Sequence, residues 1–118
     1  MKIGLIGFLL VLFLVGCSTR KADFNISKEE TLKKIIAEDN YLIVDVRTVE
    51  EYKEGHVVNA LLLPYDEIDE FVALDKKKTI IVYCRSGRRS AIAAKQLKNM
   101  GYEVLDMGAY DTIPLAKE

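Results

Sequence analysis

The sequence predicts an α/β domain in which helices cover both faces of a parallel sheet. Apolar, β-branched runs at 41–46 and 78–84 have the composition of strands covered on both faces. Segments with hydrophobic residues at helical spacing alternate with these runs, which is the pattern of a parallel sheet with crossover helices. The chain has 118 residues, 50% of them hydrophobic, which is enough for one domain with a real core.

The amino-terminal half of the domain is predicted to begin with a brief edge strand at Phe24, Asn25 and Ile26. Ser27 and Glu30 form the pattern of a capping box, and apolar residues at helical spacing continue the helix to about Glu38. A buried strand is expected at 41–46, a short helix at 48–55 and a second, short strand at 59–64 that a proline ends.

The carboxyl-terminal half is predicted to open with a helix over 65–74, where Ile68, Phe71 and Val72 have helical spacing. A buried strand at 78–84 follows, and from Ser90 an amphipathic helix runs to Gly101, its expected C-cap. A last strand is expected at 102–107, followed by a short tail, and no internal repeat is evident.

The amino terminus has the pattern of a secretory signal. The apolar run of 3–15 follows one positive residue and is shorter than the roughly 20 residues a spanning helix needs. The run ends in Leu-Val-Gly-Cys, which resembles the lipobox of bacterial lipoproteins, so we expect cleavage of residues 1–16 and lipid attachment at Cys17. Residues 17–23 then form the lipidated terminus and tether, and 24–118 the domain. A short membrane anchor with a chance cysteine is the alternative.

This leader predicts a protein that is attached to a membrane through its lipid and faces the periplasm or the outer cell surface. Ser18, which follows the lipidated cysteine, favours the outer membrane where the cell has one.

Charge and cysteine content exclude several classes of function. The formal net charge is −1, which gives no electrostatic reason to expect nucleic-acid binding. The chain has two cysteines and one histidine, too few ligands for a zinc site, so we expect neither metal nor cofactor. If Cys17 carries lipid, Cys84 has no disulfide partner, which favours a reactive role or an intermolecular one.

The segment YCRSGRRS places Cys84 at the end of a buried strand, followed within five positions by three arginines. Backbone amides at a helix N-terminus and the helix dipole favour an anion there, and they lower the pKa of a thiol. The pattern therefore predicts a nucleophilic cysteine facing an anionic substrate. Two alternatives stay open: Cys84 is a small buried hydrophobe, or some of the arginines form the solvated face of the next helix.

Two segments of the chain carry a wider pattern: LIVDVRTVEEYKEGHVVNALLLP at 42–64 and TIIVYCRSGRRSAIAAKQLKNMGY at 79–102. Together with the strand that follows, they resemble the rhodanese family of sulfurtransferases over roughly residues 24–108. The resemblance implies a five-stranded parallel sheet flanked by helices on both faces. It also implies a monomer that transfers a sulfane sulfur from an anionic donor such as thiosulfate to a thiophilic acceptor, cyanide or a thiol.

The resemblance assigns roles to individual residues. Cys84 is the nucleophile and persulfide carrier. The loop that binds the anionic donor and the transferred sulfur contains Arg85, Ser86, Gly87, Arg88 and Arg89. Four further residues are expected to support the structure: Asp45 and Arg47 pair with each other or with backbone, Glu51 joins Arg47, and His56 is hydrogen-bonded at a turn.

Loop length and one departure from the family pattern limit what the resemblance implies. Phosphatases and arsenate reductases of similar fold have five residues between the cysteine and the arginine, whereas Cys84 and Arg89 enclose four, the size of a sulfurtransferase loop. Many family members have Gly-Gly and a tryptophan after the last strand, where this chain reads Gly-Ala-Tyr-Asp at 108–111. Substrate preference is therefore not implied. A rhodanese-like binding module without turnover and an oxyanion enzyme remain the alternative functions.

Overall fold

The computed structural model describes residues 27–118, which form a four-stranded parallel sheet with helices on both faces. The strands lie in the order β2-β1-β3-β4. Within residues 27–118, no helix is both long enough and apolar enough to cross a membrane. The elements are helix α1 (Lys28–Glu38), strand β1 (Tyr41–Asp45), helix α2 (Val49–Glu54), strand β2 (Leu61–Leu62), a 3-10 turn (Tyr65–Glu67), strand β3 (Thr79–Cys84), helix α3 (Arg88–Asn99), strand β4 (Glu103–Ala109) and a second 3-10 turn (Tyr110–Thr112).

Side chains of the central strand β3 alternate between two cores, because successive residues of a strand point to opposite faces of the sheet. Val82 and Cys84 pack in the core that contains Leu97 of α3. Tyr83 packs on the other face, in the core that contains Leu32 of α1. The last residues of β3 therefore point into different environments, and Cys84 faces the helix that follows it.

Hydrogen bonds that cap the helices set where they begin and end. Ser27 Oγ accepts a hydrogen bond from the amide of Glu30 at 3.2 Å, as expected for the start of α1. A reciprocal capping box is present at α2, where Thr48 and Glu51 bond each other's backbone amides at 3.2 Å. Helix α3 ends at Asn99 with Met100 as its C-cap, one position before the expected Gly101, which follows with φ +95°.

The expectation of five strands is wrong for the part of the chain that the structure describes, where the sheet has four. The missing strand was expected at Phe24, Asn25 and Ile26, which lie outside residues 27–118. The second expected strand is shorter than predicted: only Leu61–Leu62 pairs with β1, because Asn59 takes a left-handed φ of +66° that interrupts the strand.

The helix expected at 65–74 is also absent from the structure. The segment forms a single 3-10 turn at Tyr65–Glu67 and then continues as turns and irregular chain. Asp69 explains the break, since its side chain accepts a hydrogen bond from the amide of Phe71 at 2.9 Å, a local turn that competes with helix. Of the three apolar residues at helical spacing, Ile68 is buried while Phe71 is 82% exposed.

A β-bulge interrupts β4 beside the catalytic candidate. Val82 pairs with Asp106 and Tyr83 pairs with Gly108, so one residue of β4 is left out of the register. Gly108 takes a φ of +78°, and its amide donates to Asp106 Oδ1 at 2.9 Å. The last strand therefore bends at the end of the sheet where β3 passes into α3, and it extends two residues beyond the expected 102–107.

Candidate active site

The arginine loop is a three-residue connection between β3, which ends at Cys84, and α3, which begins at Arg88. Ligands of parallel α/β sheets bind outside the carboxyl ends of the strands, which is where this loop lies. Gly87 is the N-cap residue of α3 and has a φ of +101°, a conformation that a side chain disfavours. The chain therefore turns tightly enough to direct the first amides of α3 back toward the thiol.

The thiol of Cys84 is enclosed by this turn, with no exposed surface. The amide of Gly87 donates to Sγ at 2.9 Å, and the thiol donates to Ser90 Oγ at 3.5 Å. Burial raises the pKa of the Cys84 thiol. The side chain of Ser90 and the amides of Ser90, Gly87 and Ser86 lower it by more than burial raises it, so the pKa lies below its ordinary value. The site is built to hold a thiolate.

Ser90 is a residue of the site that the sequence analysis used only as the start of a helix. It is completely buried, and its hydroxyl donates to the carbonyl of Gly87 at 3.1 Å. Side chains in a helix lean toward its N-terminus, so a serine in the first turn of α3 reaches back over the loop. In the sequence, the only sign of this role is that a short polar residue stands six positions after Cys84. If Cys84 ionises, the same hydroxyl can turn and donate to Sγ.

Arg89 is held by Glu51 in a two-pronged ion pair. Its Nη1 and Nη2 donate to the two carboxylate oxygens at 2.6 and 3.1 Å. Hydrogen bonding to Arg89 is the main reason that the pKa of Glu51 falls to about 2, and the same pair raises the pKa of Arg89. We expected Glu51 to join Arg47, and this was wrong: β1 and β3 are neighbours, so the first turns of α2 and α3 meet at one edge of the sheet.

Asp45 and Arg47 pair with each other, as the sequence analysis expected. Arg47 Nη2 donates to Asp45 Oδ2 at 2.7 Å and to the carbonyl of Gly55 at 2.6 Å. Tyr83 completes the network, since its hydroxyl donates to Asp45 Oδ2 at 2.8 Å and accepts from the amide of Val57 at 3.0 Å. Burial alone lowers the pKa of Arg47, but hydrogen bonds to Asp45 and its charge raise it.

His56 is hydrogen-bonded at a turn. Its Nδ1 lies 2.9 Å from the carbonyl of Tyr52 and its Nε2 lies 3.1 Å from Glu118 Oε1. The imidazole stacks on the ring of Tyr52 with the centroids 3.8 Å apart. Backbone hydrogen bonds in both directions join His56 to Glu118, so the histidine holds the carboxyl-terminal segment against residues 56–58. This geometry supports a structural role.

A cleft of about 350 Å³ opens beside the loop. Its walls combine residues from four parts of the chain: Arg47, Glu51, Glu54, Gly55, Arg85, Tyr110 and Asp111. Tyr110 lies in the segment after β4 that departs from the Gly-Gly and tryptophan pattern noted above. The centroid of its ring lies 4.3 Å from the guanidinium carbon of Arg47. The departure noted in the sequence therefore forms one wall of the cleft.

The other predicted residues of the site divide into two groups. Arg85, Ser86 and Arg88 are exposed, and Arg85 lines the cleft, whereas Arg89 is tied to Glu51. This arrangement agrees with the alternative that some of the arginines are solvated. Cys17, together with the expected leader and tether, lies outside the described residues.

Fold and loop define an α/β protein with an activated thiol at the carboxyl edge of a parallel sheet. Residues 28–111 match the family described as rhodanese-like domain, and the chain belongs to that family. It is 38% identical over 78 residues to the thiosulfate sulfurtransferase PspE of Escherichia coli (strain K12), with 63% of this chain and 75% of that protein covered.

Two further comparisons agree with this assignment. A solved structure described as rhodanese with anions from E. coli superposes with a TM-score of 0.62 at 36% identity, covering 66% of this chain and 96% of that one. The putative sulfur carrier protein YrkF of Bacillus subtilis (strain 168) is 33% identical over 79 residues, which cover 66% of this chain. The match spans 43% of that longer relative.

Proposed function

We propose that this protein is a sulfurtransferase that moves a sulfane sulfur from thiosulfate, or a similar anionic donor, to a thiol or cyanide through a persulfide on Cys84. The observation that carries the proposal is the environment of Cys84 Sγ, with the Gly87 amide at 2.9 Å and Ser90 Oγ at 3.5 Å. Family membership and relatives named as thiosulfate sulfurtransferases support it.

The first half of the reaction loads the enzyme. The Cys84 thiolate attacks the outer sulfur of thiosulfate, a bond forms between the two sulfurs, and the sulfur–sulfur bond of the donor breaks with its electron pair leaving on sulfite. In the second half a thiolate or cyanide takes the terminal sulfur, and the electron pair of the breaking bond returns to Sγ. The amides of the loop and the N-terminus of α3 stabilise the negative charge in both halves.

The loop assigns separate tasks to the three arginines. Arg85 and Arg88 are exposed beside the thiol and attract the anionic donor, together with the amides of 85–89. Arg89 is held by Glu51 and keeps the first turn of α3 in place. Because Cys84 has no exposed surface, the donor reaches Sγ only after the loop residues above it move.

Sulfur transfer fits the loop better than oxyanion chemistry does. Four residues separate Cys84 from Arg89, one fewer than in phosphatase and arsenate reductase loops. Both terminal nitrogens of Arg89 bond Glu51, so its guanidinium is not available to a tetrahedral oxyanion in this arrangement. An intact thiolate site also goes beyond what a pure binding module requires.

Mass spectrometry of the intact protein tests the proposal directly. Incubation with thiosulfate is expected to add one sulfur atom to the wild type and none to Cys84→Ala. Cys17→Ser is the matched control, since it removes the other cysteine of the chain and is expected to load normally. Absence of loading from thiosulfate and from other sulfane donors, or loading of Cys84→Ala, would contradict the proposal.

We further propose that the mature protein begins at a lipidated Cys17 and is anchored to a membrane, facing the periplasm or outer cell surface, with 18–23 as the tether. The lipobox pattern that ends at Cys17 supports this. Labelling of cells that express the full chain with a radioactive fatty acid tests it: wild-type protein is expected to take up the label and to lose residues 1–16, and Cys17→Ser to do neither. Absence of label from the wild type, or equal labelling of the two, would argue against the anchor.

A further inference from the structure

The cleft beside the loop contains charges of both signs that are not neutralised within the described part of the chain. Glu54 and Asp111 contribute exposed carboxylates, and Arg85 contributes an exposed guanidinium. None of the ion pairs among residues 27–118 involves these three side chains. The cleft is therefore not a simple anion pocket, although it adjoins the loop that receives an anionic donor.

A buried guanidinium adds a fixed donor to the same cleft. Arg47 is only 5% exposed, yet it lines the cleft. Its Nε and Nη2 bond Asp45 and Gly55, whereas Nη1 makes no hydrogen bond within residues 27–118. Every fully buried side-chain nitrogen or oxygen of the described residues has a hydrogen-bond partner. Because Nη1 has none, it is not fully buried, and a ligand in the cleft can bond it. Asp45, Gly55 and the ring of Tyr110 hold this guanidinium in place.

We propose that this cleft binds the sulfur acceptor, and that the acceptor is a small zwitterionic thiol with the carboxylate and ammonium of an α-amino acid. The carboxylate would bond Arg47 Nη1 and Arg85, and the ammonium would lie between the carboxylates of Glu54 and Asp111. A dianion such as thiosulfate is repelled by the two carboxylates, and a simple cation by the two guanidiniums. At about 350 Å³ the cleft is at the small end of ligand pockets, a size that suits an amino acid.

This inference rests on the proposed sulfur transfer and concerns its second half. The acceptor loses its thiol proton to solvent, and its thiolate forms a bond to the terminal sulfur of the Cys84 persulfide. The bond between that sulfur and Sγ breaks, and its electron pair stays on Sγ as the thiolate. The terminal sulfur extends about 2 Å from Sγ. Arg85, the next residue in the chain, lines the cleft.

Single-turnover transfer from the loaded full chain tests the assignment. Protein is persulfidated with thiosulfate, freed of donor and mixed with cysteine, cysteamine, 3-mercaptopropionate or 2-mercaptoethanol. Second-order rate constants are expressed per thiolate and divided by the rate of the same thiol with a small-molecule persulfide, so that differences in thiol pKa and nucleophilicity do not contribute. Cysteine is expected to react about tenfold faster than 2-mercaptoethanol, because each of its two charges finds a partner in a half-exposed cleft.

Variants separate recognition from chemistry. Glu54→Gln and Asp111→Asn are each expected to lower the ratio of the cysteine rate to the 2-mercaptoethanol rate about fivefold, because each removes one charge interaction with the ammonium of cysteine. Arg85→Gln is expected to lower the ratio of cysteine to cysteamine. Glu38→Gln is the matched control, since Glu38 is also an exposed glutamate that ends a helix, and it should leave both ratios unchanged.

The outcomes distinguish this inference from the proposed function. If thiosulfate loads Cys84 but cysteine has no advantage over 2-mercaptoethanol, or the advantage persists in Glu54→Gln combined with Asp111→Asn, the acceptor assignment is overturned and sulfur transfer stands. If no donor loads Cys84, the sulfurtransferase proposal fails and the acceptor assignment fails with it. A cysteine preference that both carboxylates are needed to maintain supports the assignment.

Discussion

Replacing Glu51 by glutamine removes the ion pair that fixes the first turn of α3. Glutamine keeps a side-chain oxygen, so the capping contacts of Glu51 with Thr48 can persist while the charge is lost. The perturbation therefore acts on the contact with Arg89, where two N–H groups meet the carboxylate at 2.6 and 3.1 Å. We expect a loss of folding stability that depends on pH.

The magnitude follows from the pKa of Glu51. The pKa of Glu51 falls from 4.5 to about 2, mainly through hydrogen bonding to Arg89 and with a further contribution from Thr48. Each unit corresponds to about 1.36 kcal/mol, so the pair with Arg89 stabilises the fold by at most about 3 kcal/mol. Both side chains keep about a fifth of their surface exposed, and screening by solvent reduces this figure to about 2 kcal/mol. A group with a lowered pKa stabilises the fold above its unfolded pKa, and the effect is lost as pH falls toward about 2.

Urea unfolding at pH 7 and pH 3 measures the effect. Wild type is expected to exceed Glu51→Gln by about 2 kcal/mol at pH 7, and by less than half of that at pH 3, where the carboxyl group of the unfolded chain is already protonated and must lose its proton on folding. Glu50→Gln, an exposed neighbour on α2, is the control and should change stability by less than about 0.5 kcal/mol. A difference that is the same at both pH values would refute the assignment to the ion pair.

Three further predictions concern the thiol and its supports. Ser90→Ala raises the pKa of Cys84, so the rise of iodoacetamide alkylation with pH should move to higher pH; an unchanged profile would contradict the assigned hydrogen bond. Gly87→Ala should cost about 1–2 kcal/mol of stability and slow sulfur loading, because φ is +101°, whereas Gly101→Ala, at φ +95°, should cost as much and load normally. Equal loading of the two would be against this. Tyr83→Phe removes the hydroxyl that bonds the buried carboxylate of Asp45 and the buried amide of Val57. Thermal unfolding should show a loss of stability of about 1–3 kcal/mol, and the alkylation profile of Cys84 should stay normal.

Local patterns were sufficient to predict the order of the elements and the position of the thiol. The run before Cys84 is apolar and β-branched, and the residues after Ser90 repeat at helical spacing, so a strand that passes into a helix follows from neighbouring residues alone. The pairing of Asp45 with Arg47 also follows, because the two residues are two positions apart at the end of β1. The helix expected at 65–74 failed for the opposite reason, since one aspartate side chain outweighed the apolar spacing.

Contacts between segments that are distant in the chain could not be predicted from the sequence. Glu51 and Arg89 are 38 positions apart and meet because β1 and β3 are adjacent in the sheet, which spacing does not reveal. Tyr110 was noted as a departure from a family pattern, but its contact with Arg47 depends on the bulge at Gly108 and on the return of the carboxyl-terminal segment to His56. These contacts form the cleft, so acceptor recognition is the part of the function that required the structure.

The end of β3 links the two halves of the proposed reaction. Because side chains alternate along a strand, Cys84 faces α3 and the amides of the loop, while Tyr83 faces the opposite side and bonds the carboxylate that holds Arg47. The thiolate is therefore supported from one face of the sheet and the guanidinium of Arg47 from the other, although Tyr83 and Cys84 are consecutive. In the proposed reaction, a change in the Tyr83 network would alter which acceptor is used without altering the thiolate, and a change at Ser90 would do the reverse. The proposed acceptor preference is thus separable from the reactivity of the cysteine.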